Sequence, residues 1–317
     1  MMAETGSAWI DPEIGESLRG FPDFDFSLDK LPAMRAGAMF EPQSAPDIER
    51  LELTTERDDV ALSVLRPVES AAEPPVLFWM HGGGMVIGNR HMDDARLIEW
   101  CRSLGCVCVS VDYRLAPEAP YPAPLDDCEA GLRFVVEHAH DLRIDRQRIG
   151  IGGRSAGGAL AAGLALRCRD RANVALAFQY LEYPMLDDRG LTPSSQLEGL
   201  PIWTRESNAF GWRSYLGDRY RTEDVPGDAA PARATELSGL PTTFIGVGTV
   251  DCLRDEAIDF AARLCRAAVP TELHVYAGAV HGFDMFADTA VARTAARDSA
   301  DWLARQFGLR TVASTRD

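Results

Sequence analysis

Between Arg148 and Leu166 three kinds of sequence follow one another without a break. The apolar run Arg148-Ile149-Gly150-Ile151 leads into the turn Gly152-Gly153-Arg154-Ser155-Ala156-Gly157-Gly158, and then into the helix-forming run Ala159 to Leu166. A strand that feeds straight into a helix must have that helix packed back on the sheet, which is the unit of an α/β architecture. Gly153-Arg154-Ser155-Ala156-Gly157 also fits G-x-S-x-G, the nucleophile elbow. Small residues two before and two after the serine let the backbone reverse sharply and leave the hydroxyl displayed at the strand end. A glycine-rich turn in this place can instead cradle a phosphate, but Ser155 stands where G-x-G-x-x-G, counted from Gly150, needs its third glycine. The elbow is the better reading, and its partners must come from elsewhere in the chain.

The strand and helix alternation extends well beyond this unit. Near-continuous apolar strands are predicted at Val76 to His81, Cys106 to Tyr113, Arg148 to Gly153, Leu176 to Tyr183, Thr242 to Gly248 and Glu272 to Ala277. Helical stretches near 93–104, 124–140, 156–170, 253–268 and 289–307 separate or follow them, so a mostly parallel sheet covered by helices is expected. Two alternating runs, Arg50 to Thr54 and Val60 to Arg66, suit an antiparallel hairpin at its edge. Residues 1–45 read as an arm that packs onto something else, with a short helical run near Leu31 to Phe40. The long break in the alternation at 187–227, aromatic from Trp203 through Tyr220, reads as an inserted lid. The core is then 46–186 together with 228–317.

Composition removes several classes of function. Lys and Arg number 32 against 48 Asp and Glu, a formal net charge of −16, which argues against nucleic acid or an anionic membrane as partner. The first residues have neither a basic nor an apolar segment of the kind that directs export, and no apolar run is long enough to span a bilayer. Seven cysteines, without C-x-x-C pairs, read as reduced packing residues in a cytoplasmic protein.

A serine hydroxyl needs an imidazole to take its proton, and the imidazole works best when a carboxylate fixes its tautomer. In an elbow fold these partners follow the serine as acid, then histidine. Asp251 follows the strand Thr243 to Gly248, and His281 follows Leu273 to Tyr276, inside the Gly-flanked His281-Gly282-Phe283 loop. Asp255 and Glu256 are rivals for the acid, but they fall in the next helix, where they would cap it. Among the other histidines, His81 is expected to shape the loop before Gly82, His274 to be a satisfied strand residue, and His138 and His140 to end a helix. His81-Gly82-Gly83-Gly84 lies directly after a buried-looking strand. Backbone N–H groups of Gly82, Gly83 and Ala156 would form an oxyanion hole there.

These motifs resemble the hormone-sensitive lipase family of α/β-hydrolases, in its bacterial esterase branch. The resemblance spans nearly the whole chain, through the His81 loop, Asp112-Tyr113-Arg114-Leu115-Ala116-Pro117-Glu118, Pro124-Leu125-Asp126-Asp127, the Ser155 elbow, Tyr183-Pro184, Leu253-Arg254-Asp255-Glu256 and His281-Gly282-Phe283. It implies an α/β-hydrolase fold with an eight-stranded, mostly parallel sheet and a helical cap built from the N-terminal arm and the insertion. It also implies Ser155 as nucleophile, Asp251 as orienting acid and His281 as base, with a small-molecule ester as substrate and no metal or organic cofactor. Substrate contacts are expected from Met85, Trp203, Phe210 and Tyr215, and cap lining also from Phe24, Phe26, Phe40, Leu186 and Trp212. A homodimer is left open.

The implied activity is hydrolysis of short- to medium-chain acyl esters through an acyl-enzyme, with turnover falling at acid pH as an imidazole base takes up a proton. A lipase, amidase, lactonase or acyltransferase would use the same triad, and a non-catalytic small-molecule receptor would share the scaffold but lose a triad member. The chain departs from the family pattern at several places. Arg154 stands where Asp or Thr is usual, Met85 where Phe or Tyr is common, Cys252 where Pro is usual, and Glu182 where an apolar residue is usual. Met85 suggests a softer wall near the substrate entrance. Arg154 and Glu182 end neighbouring predicted strands, and a buried charge needs a partner, so an ion pair between them beneath the elbow is expected.

Overall fold

The structure, a computed structural model, describes residues 9–21, 26–56 and 58–309. Phe24, expected in the cap lining, lies outside these residues. Eight strands form a single sheet: β1 (Ile48–Thr54), β2 (Ala61–Pro67), β3 (Val76–Met80), β4 (Val107–Val111), β5 (Ile149–Arg154), β6 (Phe178–Glu182), β7 (Thr242–Val250) and β8 (Thr271–Val280). Their spatial order is β1-β2-β4-β3-β5-β6-β7-β8. The β1/β2 and β2/β4 pairs are antiparallel, and all pairs from β3/β4 onward are parallel. Every residue of β3, β4 and β6 is buried, including Ser110, Gln179 and Glu182, whereas β1 at the edge alternates.

The helices divide between the two faces. On one lie α3 (Asp94–Leu104) and, at the end of the chain, α8 (Ala290–Gln306). Here Trp79, Trp100, Phe178, Tyr180, Phe244 and Trp302 form an aromatic layer in which the Tyr180 and Phe244 rings stack at 4.9 Å. On the other lie α4 (Ala123–Glu137), α5 (Ala156–Arg171) and α7 (Arg254–Arg266). All residues from Ala156 to Cys168 in α5 are buried, and their small side chains let the helix lie close to its neighbours. A Cβ at Gly163 would sit 2.2 Å from the Asp228 carbonyl oxygen.

Two short helices precede the sheet, α1 (Pro12–Ser17) and α2 (Leu31–Gly37). The sequence reading did not anticipate α1, whose start is capped by Asp11 Oδ1 accepting from the Glu13 and Ile14 amides at 2.9 and 3.3 Å. Arg35 of α2 donates to the Val86 and Ala116 carbonyls at 2.8 Å each and pairs with Glu118, tying the arm to the glycine loop. In the insertion, α6 (Arg205–Leu216) begins at Thr204, whose Oγ1 accepts from the Ser207 amide, and stops at Gly217 with φ +57°. Phe26 stands edge-on to Trp203 with ring centres 5.2 Å apart, so arm and insertion meet above the carboxyl edge of the sheet.

Candidate active site

Ser155 follows β5 at φ +55° and ψ −120°, a conformation costly for any residue with a Cβ. Three features hold it there. The Ser155 amide donates to the Glu182 carbonyl at 2.9 Å, its own carbonyl accepts from Met185, and the flanking glycines leave no space for side chains. A Cβ at Gly157 would lie 2.0 Å from the Met80 carbonyl oxygen, and one at Gly153 2.3 Å from the Gly157 carbonyl oxygen. The turn is therefore clamped between β3 and β6, which is why the sequence spends glycine on both sides of the serine.

Loops leaving β7 and β8 bring the next two groups to this turn. His281 Nε2 is 2.9 Å from Ser155 Oγ, and His281 Nδ1 is 2.8 Å from Asp251 Oδ2. The carboxylate at Nδ1 places that ring proton on Nδ1 and leaves Nε2 free to accept. Asp251 is wholly buried, and its other oxygen accepts from the Leu253 amide at 2.9 Å. The His281 ring is edged by Tyr183 at 4.7 Å and covered by Trp203 at 5.9 Å.

The glycine loop passes beside the serine. A Cβ on Gly82 would stand 3.5 Å from Ser155 Cβ, and among the described residues the Gly82 and Gly83 amides donate to no protein group. The Ala156 amide opens α5. His81 turns away from the serine. Its Nδ1 contacts the Gly82 carbonyl at 2.7 Å and its ring stacks on Tyr113 at 4.2 Å, while burial pushes its pKa down and keeps it neutral.

The remaining expectations fare differently. Asp255 and Glu256 lie in the first turn of α7 but do not cap it. Asp255 accepts from the Ser194 amide at 2.7 Å and Glu256 from the Leu186 amide at 2.6 Å, so both are spent on the loop after β6. His274 is half-buried between Glu272 and Asp298. Of the four expected substrate contacts, Trp203 reaches the triad. Phe210 faces Phe26 at 6.3 Å, and Tyr215 packs on Tyr121 at 5.8 Å. Met85, expected as a softer wall near the substrate entrance, is fully buried at φ +65° within the main core. All seven cysteines are free, six of them buried and Cys265 exposed.

The expected Arg154–Glu182 ion pair does not form. Arg154 forks instead between Asp93 at 2.5 Å and Asp284 at 3.0 Å, while Glu182 pairs with Arg96. Arg96 in turn reaches Asp284 at 2.5 Å, so the two charges are joined through intermediaries in the order Asp93, Arg154, Asp284, Arg96, Glu182. Further donors finish the chain, Trp79 Nε1 to Asp93 at 2.6 Å and Tyr183 OH to Asp284 at 2.5 Å. Two guanidiniums thus face three carboxylates. Burial would raise the Asp284 carboxyl, but both guanidiniums outweigh it and hold the group below its usual range. The surplus falls on Glu182, which burial pushes up to about 7 although Arg96 pulls against it. Asp93 and Arg96 stand at the start of α3 and Asp284 in the turn after His281, nearly 190 residues further on, so no local pattern joins them to Arg154 and Glu182.

Comparison with known proteins places the chain in a family. A family model described as the alpha/beta hydrolase fold matches residues 77–285. The esterase LipI of Mycobacterium tuberculosis is 38% identical over 226 residues, covering 71% of this chain and 70% of that protein. The carboxylesterase NlhH of the same species is 36% identical over 287 residues, covering 88% and 90%. Among solved structures, a bacterial heroin esterase superposes with a TM-score of 0.90 at 40% identity, covering 96% of this chain and 99% of that one.

Proposed function

The chain belongs to the α/β-hydrolase family, in its bacterial hormone-sensitive-lipase-like esterase branch, and is a carboxylesterase; from that premise we propose that Ser155, His281 and Asp251 are its catalytic triad. The observation that carries this reading is the pair of contacts at 2.9 and 2.8 Å that string the three side chains together. Ser155 Oγ attacks the ester carbonyl carbon while His281 Nε2 takes the hydroxyl proton. The oxyanion forms against the amides of Gly82, Gly83 and Ala156. Collapse expels the alcohol, which leaves with the proton from His281, and water repeats the sequence to free the acid and restore the serine. Asp251 keeps the imidazole in the accepting tautomer and supports its transient charge.

Short to medium acyl groups fit best. The Trp203 ring closes over the glycine loop so tightly that a Cβ on Gly84 would stand 2.4 Å from it. The six buried thiols, none of them in a disulfide, suit a reducing compartment and support a cytoplasmic home. Among the described residues no helix is long and apolar enough to cross a membrane. A panel of p-nitrophenyl esters of rising chain length, run on the wild type and on Ser155→Ala, tests both parts of the proposal. Turnover that peaks on short chains and vanishes in the variant supports it. Near-full turnover in the variant, or a preference for insoluble long-chain esters, rejects it.

A further inference from the structure

The residue before the nucleophile and the residue three after the catalytic histidine are joined by a buried ion pair. Arg154 is 12% exposed and Asp284 11%, and their contact closes a ring through Ser155, His281 and back. One side of that ring is the Ser155–His281 hydrogen bond, and the other is the Arg154–Asp284 contact. Each end has a further brace, and both braces come in part from the start of α3. Arg154 is braced by Asp93, itself held by the Trp79 indole of β3. Asp284 sits in the short turn Phe283–Met285 directly after the histidine loop. It is braced by Arg96 of α3 and by the hydroxyl of Tyr183, whose ring edges His281.

The guanidinium cannot be a proton carrier, since it stays charged at any working pH, and among the described residues its polar contacts are with Asp93 and Asp284. What its planar fork supplies is geometry, with two carboxylates held at fixed angles on two elements. A buried ionic contact of this kind adds little stability over an apolar replacement, and its attested use is to specify one arrangement. We propose that Arg154 is a positioning residue for ester hydrolysis, acting through Asp284 to hold the His281 loop in register with the Ser155 elbow. The inference rests on the triad assigned above.

The test compares Arg154→Met, Arg154→Lys, Asp284→Asn and the Arg154→Met/Asp284→Asn double variant with the wild type. It reads kcat and KM on a short p-nitrophenyl ester, the rate of fluorophosphonate labelling with the adduct mapped by mass spectrometry, and thermal unfolding. Arg154→Met is expected to lower kcat per labelled site, and the labelling rate, by roughly 10- to 100-fold with KM within about twofold, as for a small misplacement of reacting groups. Arg154→Lys recovers part of the loss. Asp284→Asn, which keeps the shape and the Tyr183 contact, loses about tenfold, and the double variant is no worse than Arg154→Met. Unchanged kcat per labelled site in Arg154→Met, or a loss confined to KM, overturns the proposal while an adduct on Ser155 leaves the triad standing. If Arg154→Met does not fold, wild-type kcat in Asp284→Asn overturns it equally. An adduct on another residue overturns the triad, and this proposal with it.

Discussion

Two chains of ionisable groups start from adjacent residues, one from Ser155 and one from Arg154, and they are built on opposite principles. In the first, Ser155–His281–Asp251, the proposed turnover passes a proton from the serine hydroxyl to the imidazole, and the two links are single hydrogen bonds of 2.9 and 2.8 Å. The second, from Asp93 through Arg154, Asp284 and Arg96 to Glu182, is made of guanidiniums and carboxylates, and its three inner members each touch two opposite charges. A proton can move along the first because the imidazole gives it up as readily as it takes it. It cannot move through an arginine. A site that needs both motion of a proton and stillness of its carriers has separated the two tasks by a single residue.

The largest effect should come from the first chain. Ser155→Ala is expected to lower kcat by roughly 10⁴- to 10⁶-fold while leaving thermal unfolding close to wild type, because a buried hydroxyl is all that is lost. Asp251→Asn should cost roughly 10⁴-fold in kcat at neutral pH through the wrong imidazole tautomer, again with folding intact as read by circular dichroism. The second chain should answer in the reverse sense. Arg154→Met strips both Asp93 and Asp284 of a counter-charge and is expected to destabilise the fold by about 3–5 kcal/mol in urea titration. If Ser155→Ala were the destabilised variant and Arg154→Met the stable one, the division of labour would be refuted.

The smallest effect concerns pH. The folded state holds the Glu182 proton up to about 7, whereas an unfolded chain releases it near 4.5. Its contribution to stability is therefore complete below about 4.5 and is lost as pH rises through about 7. Thermal unfolding followed from pH 5 to 8 should show this decline in the wild type and a flatter profile in Glu182→Gln. Asp284→Asn, which leaves two guanidiniums against two carboxylates, should move the decline to lower pH, and an unmoved decline would disconnect Glu182 from the chain.

Which parts were legible in the sequence follows the same division. That Ser155, His281 and Asp251 come together could be read because each occupies a position with a local signature: a glycine-flanked serine, and an acid and a histidine just past apolar strands. The sheet could be read because its buried strands are continuous runs such as Val76 to Met80. Arg154 and Glu182 stood out as charges in apolar surroundings, but their partners did not. Asp93 looked like any residue ahead of a helix, Arg96 like a helix surface residue, and Asp284 like a loop acid. Register alone makes Arg154 and Glu182 neighbours in the β5/β6 pair, which invited a direct contact. The side chains instead find helix α3 and the histidine loop, a choice set by tertiary packing that no local pattern records. The packing of Tyr215 on Tyr121, with ring centres 5.8 Å apart, is likewise a tertiary contact without a local signature.

The ionic chain also governs how this lineage can drift. An aspartate introduced alone at position 154 would bring a third carboxylate against Asp93 and Asp284, so that single step is closed even though the family resemblance leads one to expect Asp or Thr there. Positions 93, 154 and 284 can exchange their charges only as a set. Their history should therefore show as correlated change, and a library that randomises the three together should recover active sequences that one randomising position 154 alone never reaches.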